Sequence, residues 1–368
     1  MSVVAGVGAF SLVSANADSP AQPEPPGLAI VEPSGEFQTG MTTLHLIDED
    51  RADVWVPEAR RELMVSLWYP TDEDGLGAPY MTFEESSLFT DQLSAGLPEP
   101  LPDDLLSEVG TNSVPDAEPV ADDGTLPLVV LSPGFSFPRA TLTGIAEELA
   151  GRGYVVAAIG HNYEAPISFP DRTTECLACT DLDADTLVPN RAEDLSFVLD
   201  ELTGGDAAWE DAGIIDTERI AVGGHSIGGA SSHRAMLADD RFGAGFNLDG
   251  TFFALDPHKL DRPFLIVGAD EHGRPGGDDT WTKAWKHLEG WKRWITADGT
   301  THSSFTDLAP LGAQLGQQLQ DMDGLYADKL TRDHIVAFAD AHLRGAGAPI
   351  LEGPNDVWPE IRFHHPRP

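Results

Sequence analysis

From Leu126 onward, short continuous apolar runs alternate with longer segments of helical period. That is the pattern of strands buried on both faces and joined by amphipathic helices. The runs predict strands at Leu128–Ser132, Tyr154–Gly160, Arg219–Gly223, Gly245–Leu248, Pro263–Gly268 and Lys292–Ala297. The intervening period predicts helices at Ala140–Arg152, Arg191–Leu202, Ser226–Leu237, Thr282–Leu288 and Asp328–Leu343. Such alternation calls for right-handed crossovers, hence an α/β fold with a mostly parallel central sheet and helices on both faces. One domain over 41–368 absorbs all of it. Upstream, strands are expected at Thr42–Ile47 and Leu63–Tyr69. Two stretches without strong period, 71–124 and 161–188, read as surface insertions of short helices and loops. Residues 18–40, rich in Pro, Gly and Ser, read as a flexible leader.

The first residues change the picture of where the protein works. An apolar run, Val3–Val13, precedes Ala15-Asn16-Ala17, the small-residue pattern that signal peptidase cuts, so 1–17 reads as a signal peptide of a secreted protein although a basic start is missing. The run is too short to span a bilayer. In a secreted chain the only two cysteines, Cys176 and Cys179, are expected to form a local disulfide. A zinc site would need further ligands, and no histidine pair lies nearby in the sequence. Acidic side chains outnumber basic ones 61 to 22, a formal net charge of −39. Such a surface repels nucleic acid and anionic membranes, and it suits either general solubility or a high-salt habitat.

The candidate chemistry begins at Gly224-His225-Ser226-Ile227-Gly228, which follows the apolar strand and opens a helix. A serine displayed on so sharp a turn, with no room for side chains at 224 and 228, is the pattern of a nucleophile elbow. Its hydroxyl needs a base, and His302 lies on a turn after the last expected parallel strand, where the order Ser, acid, His places one. Two backbone amides must meet the developing oxyanion. Ile227 follows the serine, and Phe135 stands in the turn Ser132-Pro133-Gly134-Phe135 after the first central strand. The acid is open on these grounds: Asp249 and Asp270 each follow a strand whose carboxyl end faces the crevice. Trp281, Trp285, Trp291 and Trp294 read as packing residues.

Several segments together resemble the plasma-type platelet-activating factor acetylhydrolases of the α/β-hydrolase superfamily. They are Leu128–His161, Ile215–Ala230, Arg241-Phe242 with Asn247-Leu248-Asp249-Gly250, and Thr301-His302-Ser303-Ser304-Phe305. In that family the acid closes a Leu-Asp pair 23 residues after the serine, which implies Asp249. The resemblance further implies hydrolysis of short-acyl esters or phospholipids with no metal, calcium or other cofactor. Two features are similar instead to the bacterial cutinases and polyester hydrolases: Pro133-Gly134-Phe135, and the strand Leu265–Ala269, after which those enzymes carry their acid. Asp270 therefore stays the alternative acid, and a cutinase-like lipase the alternative function. A hydrolase-fold binding module without turnover is the reading from a different class. Glu84-Glu85 and Asp103-Asp104 stand where the plasma enzymes have apolar docking helices, so tight membrane or lipoprotein binding is not expected.

Overall fold

Residues 27–95 and 97–365 are described by the structure, a computed structural model; the expected signal peptide lies outside them. The chain forms β1 (Gln38–Ala52), β2 (Arg60–Thr71), α1 (Phe83–Leu93), β3 (Ser113–Pro115) and β4 (Leu126–Ser132). Next come α2 (Thr143–Ala150), β5 (Val155–His161), a small hairpin of β6 (Ile167–Ser168) with β7 (Thr173–Thr174), and α3 (Ala184–Thr203). β8 (Ile215–His225), α4 (Ile227–Ala238), β9 (Ala244–Leu248), β10 (Phe264–Ala269), α5 (Asp279–His287) and β11 (Lys292–Ala297) continue the alternation. α6 (Leu308–Gln314), α7 (Gly324–Leu343) and β12 (Ile361–His364) complete it.

Ten strands make one sheet in the order β12-β11-β10-β9-β8-β4-β5-β2-β1-β3. The six from β11 to β5 are mutually parallel. Alternation sorts their side chains into two cores. Leu128 and Val130 of β4 face α3 and α4, meeting Leu195, Val198 and Met236. Val129 and Leu131 face the other way, toward Leu149 of α2 and Ile335 and Phe338 of α7. Each such fully buried aliphatic contributes roughly 1.5–3 kcal/mol relative to exposure, so a strand with apolar side chains on both faces is stable only between two helical layers. Trp281 and Trp294 are fully buried in the first core with ring centroids 5.5 Å apart.

The structure departs from the sequence pattern in three places. α3 starts at Ala184, well before Arg191, because Asp183 caps its first turn and Pro189 is accommodated inside it. The segment 27–40 is docked rather than flexible: Ile30 is buried, Ile30 N donates to Gly110 O (2.8 Å), Phe37 N donates to Gly151 O (3.0 Å), and β1 begins at Gln38. Its composition reports a lack of regular period, not a lack of contacts. The C-terminal tail, where the sequence pattern predicts no strand, supplies β12, whose His364 meets Thr296 Oγ1 at 2.8 Å.

Candidate active site

Ser226 sits between the end of β8 and the start of α4 with φ 57° and ψ −128°, a left-handed conformation that costs on the order of 1–3 kcal/mol in a residue with a Cβ. The flanking glycines make it possible. A Cβ on Gly224 would lie 2.1 Å from Ser132 O, and one on Gly228 would lie 2.0 Å from the same oxygen. The elbow is thus clamped against the end of β4, and Ser226 N donates to Leu248 O at 2.8 Å.

Asp249 follows β9 in a turn that its own neighbours enforce. The Asn247 side chain accepts from Gly250 N (2.7 Å) and donates to Gly250 O (2.8 Å), holding Asp249 at φ 55°. His302 opens a short helical turn after β11, and its backbone oxygen accepts from His225 Nε2 at 2.8 Å. The structure brings the three side chains into one row. His302 Nδ1 donates to Asp249 Oδ2 at 2.6 Å, and His302 Nε2 faces Ser226 Oγ at 2.9 Å. With Nδ1 donating, Nε2 is free to accept the hydroxyl proton. Asp249 is completely buried. Burial opposes its charge, but hydrogen bonds from His272 and His302 outweigh that and hold the carboxyl at about 2. Asp270 is not in this row: its Oδ2 accepts from Gly299 N (2.8 Å), and it pairs with Arg274, bracing the base of the His302 loop.

Gly134 backs directly onto the elbow, since a Cβ there would lie 3.4 Å from Ser226 Cβ. The next amide, Phe135 N, and that of Ile227 donate to no other protein group among the described residues. The loop that carries Phe135 rests on buried charge. Arg191, from α3, donates to Pro133 O (2.5 Å) and to Glu164 Oε2 (2.6 Å), while Ser136 N donates to Glu164 O (3.0 Å). Arg61 joins Glu164 (3.2 Å), Asp194 (2.6 Å) and Asp53 (2.9 Å), all fully buried. Burial alone would raise the Glu164 carboxyl, but Arg191 and Arg61 hold it below the ordinary range. His161 bridges Asp194 (2.7 Å) and Ser132 Oγ (2.9 Å), and burial beside Arg191 pushes it down to about 4, so it is neutral. His225 is likewise neutral, pushed down to about 3 by burial and by His302.

Beside the elbow, Ile227 and Ala230 pack with Leu187 and Val188 of α3, and Trp55, Phe135 and Phe253 cover them while staying half-exposed. The insertion that delivers α3 to this cluster is stapled by a Cys176–Cys179 disulfide, with Cα atoms 5.3 Å apart.

One member of the site has no counterpart in the sequence reading. His272, in the turn after β10, donates from Nδ1 to Asp249 Oδ1 (2.9 Å) and from Nε2 to Asp278 Oδ2 (3.2 Å). Its signal was proximity to Asp270 at a strand end, but only the adjacency of β9 and β10 carries it to Asp249. Burial disfavours its cation, yet the hydrogen bonds to Asp249 and Asp278 lift it to about 10. Asp249, His272 and His302 also have ligating atoms within 4.8 Å of one another. Those atoms already bond one another, so a cation there would displace the contacts that orient His302.

Comparison with known proteins finds several ester hydrolases similar to this chain. Residues 202–344 match the family model "Platelet-activating factor acetylhydrolase, isoform II". A probable 1-alkyl-2-acetylglycerophosphocholine esterase of Arthroderma benhamiae is 24% identical over 92% of this chain and 94% of its own length. A bis(hydroxyethyl) terephthalate hydrolase of Streptomyces coelicolor is 31% identical over 40% of each chain. The solved structure of a ferulic acid esterase from Streptomyces cinnamoneus superimposes with a TM-score of 0.81 at 40% identity, over 92% of this chain and all of that one. Fold and relatives together define an ester hydrolase of the α/β-hydrolase class. Within that class the chain resembles the platelet-activating factor acetylhydrolases, and a cutinase of Thermobifida cellulosilytica is 27% identical over 49% of it.

Proposed function

We propose that the chain is a secreted serine esterase that cleaves short-acyl and aryl carboxylic esters. The observation that carries this reading is the hydrogen-bonded row Ser226–His302–Asp249 beginning on a strained elbow. Ser226 Oγ attacks the ester carbonyl carbon as its proton passes to His302 Nε2. Asp249 holds the ring and stabilises the imidazolium, and the Phe135 and Ile227 amides receive the negative oxygen. Collapse breaks the bond to the leaving alkoxide, which takes the proton from His302, and leaves an acyl-serine. Water then repeats the sequence: it gives a proton to His302, attacks the acyl carbon, and releases the acid and free Ser226.

Support for an aryl acyl group comes from the half-exposed Trp55, Phe135 and Phe253 beside Ile227, together with the ferulic acid esterase likeness. A flat ring gains most from such walls. The second reading, a short-acyl glycerophosphocholine, rests on the family model and the Arthroderma relative. Secretion is supported by the apolar start with its Ala15-Asn16-Ala17 and by the cysteine pair. Among the described residues no helix is long and apolar enough to cross a membrane.

The test is Ser226→Ala against p-nitrophenyl acetate, methyl ferulate, a short-acyl phosphatidylcholine and a polyester film. Turnover is expected to fall by ~10³-fold or more, and fluorophosphonate labelling to vanish. Retained labelling would place the nucleophile elsewhere, and the order of rates across the panel decides the acyl class.

A further inference from the structure

The acid of this site has two histidine partners, and only one of them faces the serine. His302 takes Asp249 Oδ2; His272 and Ala269 N (2.7 Å) take Oδ1. Beyond Asp249, His272 reaches Asp278, which is itself fixed by Thr251 Oγ1 (2.6 Å) and by capping Thr280 N at the start of α5. Both nitrogens of His272 therefore face carboxylate oxygens. An ionised carboxylate only accepts, so a ring that bonds two of them carries a proton on each nitrogen. The Thr251 hydroxyl does not change this, because its proton goes to Asp278 Oδ2. The rings of Trp281, 5.4 Å away, and His302, 6.3 Å away, also flank His272.

We propose that His272 is a positioning residue of the esterase site: a positively charged ring clamped between Asp249 and Asp278 that orients the acid and offsets part of the negative charge His302 faces. This rests on the reading of Asp249 and His302 as the acid and base of the reaction. His302 is faced by Asp249 from the turn after β9, by Ser226 and the neutral His225 from the elbow, and by His272 from the turn after β10. The next charges, Asp270 and Arg274, pair with each other at the base of its loop. Among the described residues His272 is thus the one cation beside the acid, and it offsets part of the negative field that reaches His302.

The sign of two substitutions separates this role from simple support. His272→Gln keeps a donor for Asp249 but removes the positive charge, so the acidic limb of kcat/KM should move up by about one pH unit. Asp278→Asn keeps the helix cap and removes a negative charge; His272 Nε2 then donates to Thr251 Oγ1, 3.2 Å away, and the ring stays charged by Asp249, so the limb should move down. Both profiles are recorded with p-nitrophenyl acetate, beside thermal melts and beside Asp249→Asn. Profiles that overlay the wild type, or that move in the same direction, overturn the proposal while an inactive Asp249→Asn leaves the esterase reading standing. An active Asp249→Asn overturns both. Should His272→Gln fail to fold, the downward shift in Asp278→Asn decides alone.

Discussion

Asp249→Asn removes one negative charge and changes no shape, and the neighbours dictate how the amide must sit. Ala269 N at 2.7 Å and His272 Nδ1 at 2.9 Å both donate at the Oδ1 position. The amide keeps its single oxygen there, because turning the NH2 group toward two donors would leave both unsatisfied inside the protein. The NH2 therefore takes the Oδ2 position and donates to His302 Nδ1, the atom that donated before. His302 must then carry its proton on Nε2, aimed at Ser226 Oγ, and the serine proton has no acceptor. A wrong-tautomer triad of this kind loses ~10⁴ in kcat, or about 5.5 kcal/mol of transition-state stabilisation. Asp270→Asn is the matched control. Its side-chain oxygen still accepts from Gly299 N, and only the half-exposed pair with Arg274 is lost, about 0.6 kcal/mol or threefold at most. The assay is kcat and KM for p-nitrophenyl acetate at pH 8, with urea unfolding to verify that each variant is folded. The reasoning is refuted if Asp249→Asn keeps more than about a hundredth of the wild-type kcat, or if Asp270→Asn falls as far.

Arg191→Met strips Glu164 of one of its two arginines and Pro133 O of its donor, so stability to urea should drop by about 3–5 kcal/mol and kcat should fall more than KM rises; a variant as stable as wild type would mean that the buried charges do not brace the oxyanion loop. The carboxyl of Asp307 is pushed well above the aspartate range by burial and by Asp328. Its folded form keeps a proton that the unfolded chain releases above about pH 4, so wild-type stability is lost as pH rises from there. Asp307→Asn, which can still accept from Gly144 N, should raise Tm at pH 8 and lose that advantage near pH 3.5; a lower Tm at pH 8 counts against the buried proton.

The elbow was legible because its constraint is steric and local: two glycines with no space beside Ser132 O write themselves into five consecutive residues. The sheet was legible from strands buried on both faces. The acid was less so: the strand pattern left Asp249 and Asp270 even, and only the resemblance, through the Leu-Asp spacing from Ser226, favoured Asp249. What escaped depends on strand order. His272 meets Asp249 only because β9 and β10 are adjacent, and no local pattern encodes that. The buried charge cluster behind the Pro133–Phe135 turn draws Arg61 from β2, Glu164 from the loop after β5, and Arg191 and Asp194 from α3, and each of these residues alone reads as an ordinary surface charge. The tail escaped because four residues, Ile361–His364, make too short a run to carry a period.

That short tail has a bearing on how the molecule behaves at high concentration. A ten-stranded sheet offers two open flanks, each a template for another chain's backbone. One is closed by β12, which lays Arg362 and His364 antiparallel along β11, and the other by β3, only three residues long and ending in Pro115. A C-terminal truncation before Ile361 would bare the β11 flank with Trp294 and Ile295 beneath it. Self-association between copies, rather than loss of the Ser226 site, would be its first symptom.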